Sequence, residues 1–248
     1  MAIIFQKPKA LKDTSMHYCP GCTHGIAHRL VAEAMDDLDI EGNTIGIASV
    51  GCSYNSYDYF GCDMIQCPHG RAPAVATGVK RSNPNKIVYT YQGDGDLAAI
   101  GTAEIVHAAA RGENITVIFI NNTIYGMTSG QMAPTTLLNQ FSTTTPYGRQ
   151  ADLHGFPINV CEMIATLEGA AYIERVSLHD VKHIRKAKEA VKKAFKVQQM
   201  KKGFAMVELL STCPTNWGLS PVDSLNRVKD VMIPHYPLGV FKGESLEV

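Results

Sequence analysis

The stretch from Lys86 to Gln131 constrains this chain more than any other. The β-formers Ile87-Val88-Tyr89-Thr90-Tyr91 lead into the turn Gly93-Asp94-Gly95-Asp96. A helical pattern follows, with Leu97, Ile100, Ala103, Ile105, Val106 and Ala109 expected on its apolar face up to Arg111-Gly112. A second run of β-formers, Ile115 to Ile120, ends on Asn121-Asn122. This is a βαβ unit, and its polar and acidic residues stand at the carboxyl ends of both strands. In open parallel sheets, ligands bind at that edge.

Gly93-x-Gly95-x-x-Ala98 fits a lenient dinucleotide fingerprint, in which a helix N-terminus receives a pyrophosphate. That pattern wants an acid at the end of the second strand to hold a ribose, and Asn121-Asn122 stands there. It also sets the Asp94 carboxylate against a diphosphate. A divalent cation removes the repulsion, because Mg²⁺ takes one or two carboxylates together with phosphate oxygens. Asn122 is placed to supply a neutral oxygen ligand. The sequence therefore favours a metal-bridged diphosphate over a plain dinucleotide site or a chance Gly-Asp-Gly turn.

The alternation of strands and helices around this unit predicts an α/β domain with a mostly parallel sheet. A helix is expected over about Thr23 to Leu38, a buried strand over Thr44 to Val50, and a helix over Pro73 to Lys80. Residues 159–168 read as helical and Ala171 to Leu178 as a strand. Asp180 reads as the N-cap of a basic amphipathic helix ending near Gly203, with Val181, Ile184, Ala187, Val191, Ala194 and Phe195 turned inward. Phe204 to Leu210 is the last expected strand. The stretch from Tyr54 to Gly70 has no period and reads as a long functional loop. Residues 1–16 read as an N-terminal arm, 17–218 as the α/β domain, and 219–248, with Pro221, Pro234 and Pro237, as an extended C-terminal arm. There is no internal repeat.

At 248 residues the chain can bury a substantial core. Its 23 Lys and Arg balance 23 Asp and Glu, which argues against nucleic acid or an anionic membrane as partner. No apolar run approaches a membrane span, so a cytoplasmic location is expected. Seven cysteines, an odd number, then point to metal or redox chemistry rather than a disulfide framework.

Cys19-Pro20-Gly21-Cys22 precedes a helix, while Cys52 and Cys213 each follow a predicted strand. In a parallel sheet all four fall at the edge that carries Gly93-Asp94-Gly95. Four converging thiolates suit a 4Fe–4S cluster or zinc, and one close pair with two distant singles is less like a zinc ribbon. Cys161 reads as core; Cys62 and Cys67 lie in the long loop with no assigned role. His69-Gly70-Arg71 closes that loop, where a histidine either meets a ligand or is satisfied by backbone. His107 reads as structural, and His17, His24 and His28 as surface or supporting groups around the cysteine pair.

Taken together, Gly-Asp-Gly, twenty-five residues and then Asn-Asn resembles the thiamine-diphosphate-binding motif. With Cys19-Pro-Gly-Cys22, Val50-Gly51-Cys52-Ser53, His69-Gly70-Arg71-Ala72, Asn121 to Gln131 and Cys213-Pro214-Thr215-Asn216-Trp217-Gly218, the chain resembles the β subunit of the 2-oxoacid:ferredoxin oxidoreductases. The resemblance covers roughly residues 17–245 and implies a three-layer sandwich around a mostly parallel sheet. It implies Mg²⁺ on Asp94, Asn122 and the Ile124 carbonyl. Gly93, Gly95, Asp96, Gly126, Met127 and Thr128 would contact the diphosphate and thiazolium, with Gly51, Cys52, Ser53, His69 and Gly70 on the other side. Cys19, Cys22, Cys52 and Cys213 would hold a 4Fe–4S cluster.

His69, Asn55 and Met127 would stand nearest the reacting groups. Asn55 occupies the place where 2-oxoglutarate-type members carry a basic residue, and Tyr54 to Phe60 looks closer to branched-chain, 2-oxoisovalerate-type members. The implied reaction converts a 2-oxoacid and coenzyme A to acyl-CoA and CO₂, with electrons passing to ferredoxin. An α subunit would bring the glutamate that activates the cofactor's pyrimidine, alongside γ and ferredoxin-like δ subunits. The alternatives are a non-oxidative thiamine-dependent decarboxylase or synthase subunit with structural zinc, and a metal-stabilised scaffold without turnover.

Overall fold

A computed structural model describes residues 6–243. Seven strands form one sheet: β1 (Thr44–Ala48), β2 (Asp63–Gln66), β3 (Ile87–Gly93), β4 (Thr116–Asn121), β5 (Ala170–Ser177), β6 (Phe204–Leu210) and β7 (Gly239–Lys242). Their order is β2-β1-β3-β4-β6-β5-β7, and every neighbouring pair is parallel except β5 with β7. The helices are α1 (His24–Asp37), α2 (Ser56–Tyr59), α3 (Ala72–Ser82), α4 (Thr102–Ala110), α5 (Ala151–His154), α6 (Val160–Ala165), α7 (Val181–Gln199), α8 (Pro214–Trp217), α9 (Pro221–Arg227) and α10 (Ile233–His235). None of them is long and apolar enough to cross a membrane.

The expected sandwich forms because β3, β4 and β6 are apolar on both faces. Tyr89, Tyr91, Ile118, Ile120, Val207 and Leu209 pack with α1 and α7; Val88, Val117, Phe119, Phe204 and Met206 pack with α3, α4 and α6. Strands buried on both sides are what parallel sheets require. Asp180 caps α7 as predicted, its side chain accepting from His183 N.

Four expectations change. The helix after Gly95 opens with a π turn over Asp96–Ile100 before α4 begins. That shift turns Ile100 to solvent, 50 % exposed, and leaves Ala103 exposed as well. Val181, at the exposed start of α7, also points outward. The loop from Tyr54 to Gly70 holds α2 and the edge strand β2, whose largely exposed Asp63, Ile65 and Gln66 leave no alternating pattern to read. Beyond Gly218 the chain is not an extended arm. Pro221 sits in the first turn of α9, where a missing N–H costs nothing, Pro234 lies in α10 and Pro237 beyond it, and β7 then pairs antiparallel with β5. Of the N-terminal arm, the described part folds back: Leu11 bridges Phe60, and Ala10 is fully buried. Its first five residues lie outside the described region.

Candidate active site

Register brings the motifs together. Gly93 pairs with Ile120, so Asp94 and Asn121-Asn122 leave the sheet side by side. Ala48 pairs with Tyr91 and Asn121 with Leu210, which sets Ser49 to Cys52 on one flank and Ser211 to Cys213 on the other. A cavity of about 110 Å³ opens there, lined by His24, Val50 to Ser53, His69, Gly93 to Asp96, Asn122 and Ile124 to Thr128.

Asp94 is buried at its floor, where Oδ1 accepts from Gly95 N at 2.8 Å and Oδ2 from Thr135 Oγ1 at 2.6 Å. Burial pushes its carboxyl up to about 6, against the opposing hydrogen bonds from Thr135 and Gly95. A cation beside it would hold the charged form. Asn122 Oδ1 accepts from Ile124 N at 3.3 Å across a turn in which Thr123 takes φ 59. Asn121 Nδ2 in turn donates to Glu208 Oε1 at 2.7 Å, and Glu208 is paired with the fully buried Arg175. The loop carrying Asn122 and Ile124 is thus anchored beneath the sheet edge. Gly95 is required sterically, since a Cβ there would lie 2.2 Å from the Tyr125 ring.

A second cavity, about 60 Å³, adjoins the first and is lined by all of Cys19, Cys22, Cys52 and Cys213. Thr23 draws the Cys19–Cys22 turn to the end of β6: its Oγ1 meets Ser211 Oγ at 2.6 Å and accepts from Thr212 N at 3.1 Å. Cys213 receives Asn216 Nδ2 at 3.3 Å. A Cβ on Gly126 would lie 3.1 Å from Cys52 Sγ and 3.5 Å from Cys213 Sγ. Burial pushes the Cys22 and Cys52 thiols up to about 12, and the neighbouring cysteines add to it. A cationic metal would favour the thiolate forms in this cavity. Thiolates on one zinc at about 2.3 Å stand about 3.8 Å apart. Among the described residues no three cysteine sulfurs come within 4.8 Å of one another. As placed, three of these sulfurs are not close enough together to share one zinc ion.

Thirteen of the fourteen expected cofactor residues line the larger cavity. Gly70 does not; it packs against Ile100 and Gly101 with φ +78. Asn55 is also absent from the lining, standing ahead of α2. Asp96 lines it, but its carboxylate is engaged by His69, Gly70 and Gln92 rather than open to a diphosphate. Cys62 and Cys67 are buried away from both cavities, and Cys161 is core.

The residues that sequence reasoning missed are His24, Tyr125 and Thr135. His24 lines both cavities and is 2 % exposed, so it is not a surface group. Its Nδ1 lies 2.9 Å from Tyr91 Oη, and Tyr18 stacks on its ring at 4.7 Å. Burial, with a smaller effect from His17, lowers it to about 3, so the imidazole is neutral. His28 is likewise buried, 2.6 Å from Tyr18 Oη. Tyr91, at the end of the apolar run of β3 and packed on both His24 and His28, was the available signal.

A doubly wound sheet with a Gly-Asp-Gly turn and a facing Asn-Asn turn at one edge defines a diphosphate-cofactor α/β domain, here with a four-cysteine cavity beside the cofactor site. The model of the thiamine pyrophosphate enzyme C-terminal TPP-binding domain matches residues 45–209. Ketoisovalerate oxidoreductase subunit VorA of Methanothermobacter thermautotrophicus is 46 % identical over 98 % of this chain and 51 % of its own length. 2-Oxoglutarate synthase subunit KorB of Methanocaldococcus jannaschii is 37 % identical over 93 % of this chain and 87 % of its own. The structure of 2-oxoglutarate:ferredoxin oxidoreductase from Magnetococcus marinus, with 2-oxoglutarate, coenzyme A and succinyl-CoA bound, superposes with a TM-score of 0.80. It is 27 % identical and covers 99 % of this chain and 88 % of that one. The chain belongs to the thiamine pyrophosphate-binding subunits of the 2-oxoacid oxidoreductase family. It spans about half the length of the VorA relatives it matches.

Proposed function

We propose that this chain is the thiamine-binding β-type subunit of a 2-oxoacid:ferredoxin oxidoreductase, which forms acyl-CoA and CO₂ and delivers electrons to ferredoxin. The observation that carries this reading is the shared wall: His24, Cys52, Asn122 and Gly126 line both the cofactor cavity and the four-cysteine cavity. A cluster on Cys19, Cys22, Cys52 and Cys213 would sit against the cofactor, the adjacency that one-electron oxidation needs. Asp94, Asn122 and the Ile124 carbonyl would hold Mg²⁺ on the diphosphate. Bound there, thiamine pyrophosphate supplies the electron sink for decarboxylation. The chain's own residues would fix the diphosphate end, with Tyr125 and the Gly126-Met127-Thr128 turn lining the cavity beside it.

The site is half built. Among the described residues no glutamate lines the cavity, and its two aspartates are committed, Asp94 to the cation and Asp96 to His69. The pyrimidine-activating glutamate comes from a partner, the α subunit. Exposed Phe141, Tyr147, Leu153 and Phe156 provide an apolar surface for such a chain. The γ and ferredoxin-like δ subunits and a cytoplasmic setting complete the reading.

The favoured substrate is a branched-chain 2-oxoacid of the 2-oxoisovalerate type. Among the described residues no Lys or Arg lines either cavity, so a distal carboxylate meets no cationic partner there, and identity to the VorA relatives exceeds that to KorB. The test is anaerobic coupled turnover of the complex with 2-oxoisovalerate and 2-oxoglutarate. Preference for 2-oxoglutarate refutes the substrate assignment, and full 2-oxoacid oxidation by this polypeptide alone refutes the need for a partner.

A further inference from the structure

Asp96 is 1 % exposed, and this chain occupies both of its carboxylate oxygens. Oδ1 lies 2.5 Å from His69 Nδ1 and accepts from Gly70 N at 2.7 Å. Oδ2 accepts from Gln92 Nε2 at 2.6 Å. The Gln92 amide is itself oriented, because its Oε1 accepts from Thr90 Oγ1 at 2.9 Å. The π turn over Asp96–Ile100 holds the carboxylate in this position, and Gly70, packed on Ile100 and Gly101, holds the histidine loop against it.

Both Asp96 oxygens already accept from groups that can only donate, the Gly70 N–H and the Gln92 amide, so the carboxyl is arranged as an acceptor. The contact therefore places the hydrogen of a neutral His69 on Nδ1. The ring lines the cofactor cavity with 36 % of its side chain exposed, and among the described residues no hydrogen bond reaches Nε2. A histidine's free nitrogen is set by the bond its other nitrogen makes.

We infer that Asp96 is a positioning residue that fixes His69 as the Nδ1–H tautomer and presents the Nε2 lone pair to the cofactor cavity as a hydrogen-bond acceptor. This rests on reading that cavity as the thiamine pyrophosphate site. An acceptor repels phosphate oxygens. His69 consequently faces not the diphosphate but a donor at the reacting end, a hydroxyl, amine or thiol.

The tautomer is read directly from two-bond ¹H–¹⁵N correlations of His69 in the full chain, ¹⁵N-histidine-labelled and free of cofactor, at pH 8. The expected pattern is a protonated Nδ1 and an unprotonated Nε2, with a shift toward Nε2–H in Asp96→Ala. A wild-type His69 carrying its hydrogen on Nε2 overturns the inference. The second arm uses His69→Asn, whose amide keeps a donor for Asp96 but lacks Nε2. In the assembled enzyme its thiamine pyrophosphate affinity stays within about twofold while kcat falls about 100-fold or more, the scale of a lost proton-transfer group. Weakened cofactor binding with kcat retained overturns it in favour of a phosphate contact. If thiamine pyrophosphate does not bind wild-type protein at all, the site assignment fails while the tautomer result stands by itself.

Discussion

Thr135 Oγ1 donates to Asp94 Oδ2 over 2.6 Å, although the two residues lie on separate segments, a sheet-edge turn and an irregular loop. The bond stabilises the ionised form of a carboxyl that burial otherwise disfavours. A hydrogen bond to a charged group is worth about 1.5–3 kcal/mol. Thr135→Val is therefore expected to weaken Mg²⁺-dependent thiamine pyrophosphate binding by roughly tenfold or more. Calorimetric titration with the cofactor and Mg²⁺ measures this, and unchanged affinity shows that the hydroxyl does not support the site.

Gly126 backs the cysteine cavity. A methyl group there would press on Cys52 Sγ at 3.1 Å and touch Cys213 Sγ at 3.5 Å. Gly126→Ala is expected to lower the iron content of anaerobically purified protein while its circular dichroism stays native. Full iron loading of the variant would show that the sulfurs have room to move.

Arg175 is fully buried, with Glu208 at 2.7 Å and Glu162 at 2.6 Å. Arg175→Met leaves Glu208 buried without its counter-charge, which costs about 3–5 kcal/mol. Because Glu208 also accepts from Asn121, the loss should loosen the loop bearing Asn122. The double change Arg175→Met with Glu208→Leu removes both charges and is expected to be milder. Denaturant unfolding compares the two; equal losses contradict the account.

Asp180 caps α7. The backbone N–H of His183 draws its carboxyl down to about 2, with the His183 ring adding to the effect. A depressed value means that the stabilisation is complete above the ordinary carboxyl range, near pH 4, and is lost as pH falls through about 2. Asp180→Ala should cost about 1 kcal/mol at neutral pH. The gap between wild type and variant should narrow between pH 4 and 2; a gap independent of pH contradicts the capping role.

The central sheet and its diphosphate edge were legible because β3, β4 and β6 are continuous apolar runs, and Gly93-Asp94-Gly95 and Asn121-Asn122 close two of them. The four-cysteine convergence followed from two strand ends, at Cys52 and Cys213, and one helix start, after Cys19-Pro-Gly-Cys22. What stayed hidden depends on side-chain meetings between distant segments. Thr135 lies in a Thr-rich tract where nothing marks one hydroxyl from the next. His24 reads as a polar neighbour of a cysteine pair until Tyr91 covers it. Asp96 looks like a second acid for the cofactor until His69, Gly70 and Gln92 take its oxygens. β2 and α9 escaped for a different reason: an exposed edge strand has no burial pattern, and prolines at helix starts look like prolines in extended chain.

The cavities meeting at Cys52 and Gly126 make one claim above the others, that this chain joins a thiamine pyrophosphate site to an iron–sulfur cluster. Metal analysis of the anaerobically purified chain, wild type and Cys213→Ser, tests it most directly when paired with cofactor titration. About four irons per wild-type chain, lost in Cys213→Ser with Mg²⁺-dependent thiamine pyrophosphate binding retained, is the predicted result. Zinc in place of iron, or iron unaffected by the substitution, would contradict it.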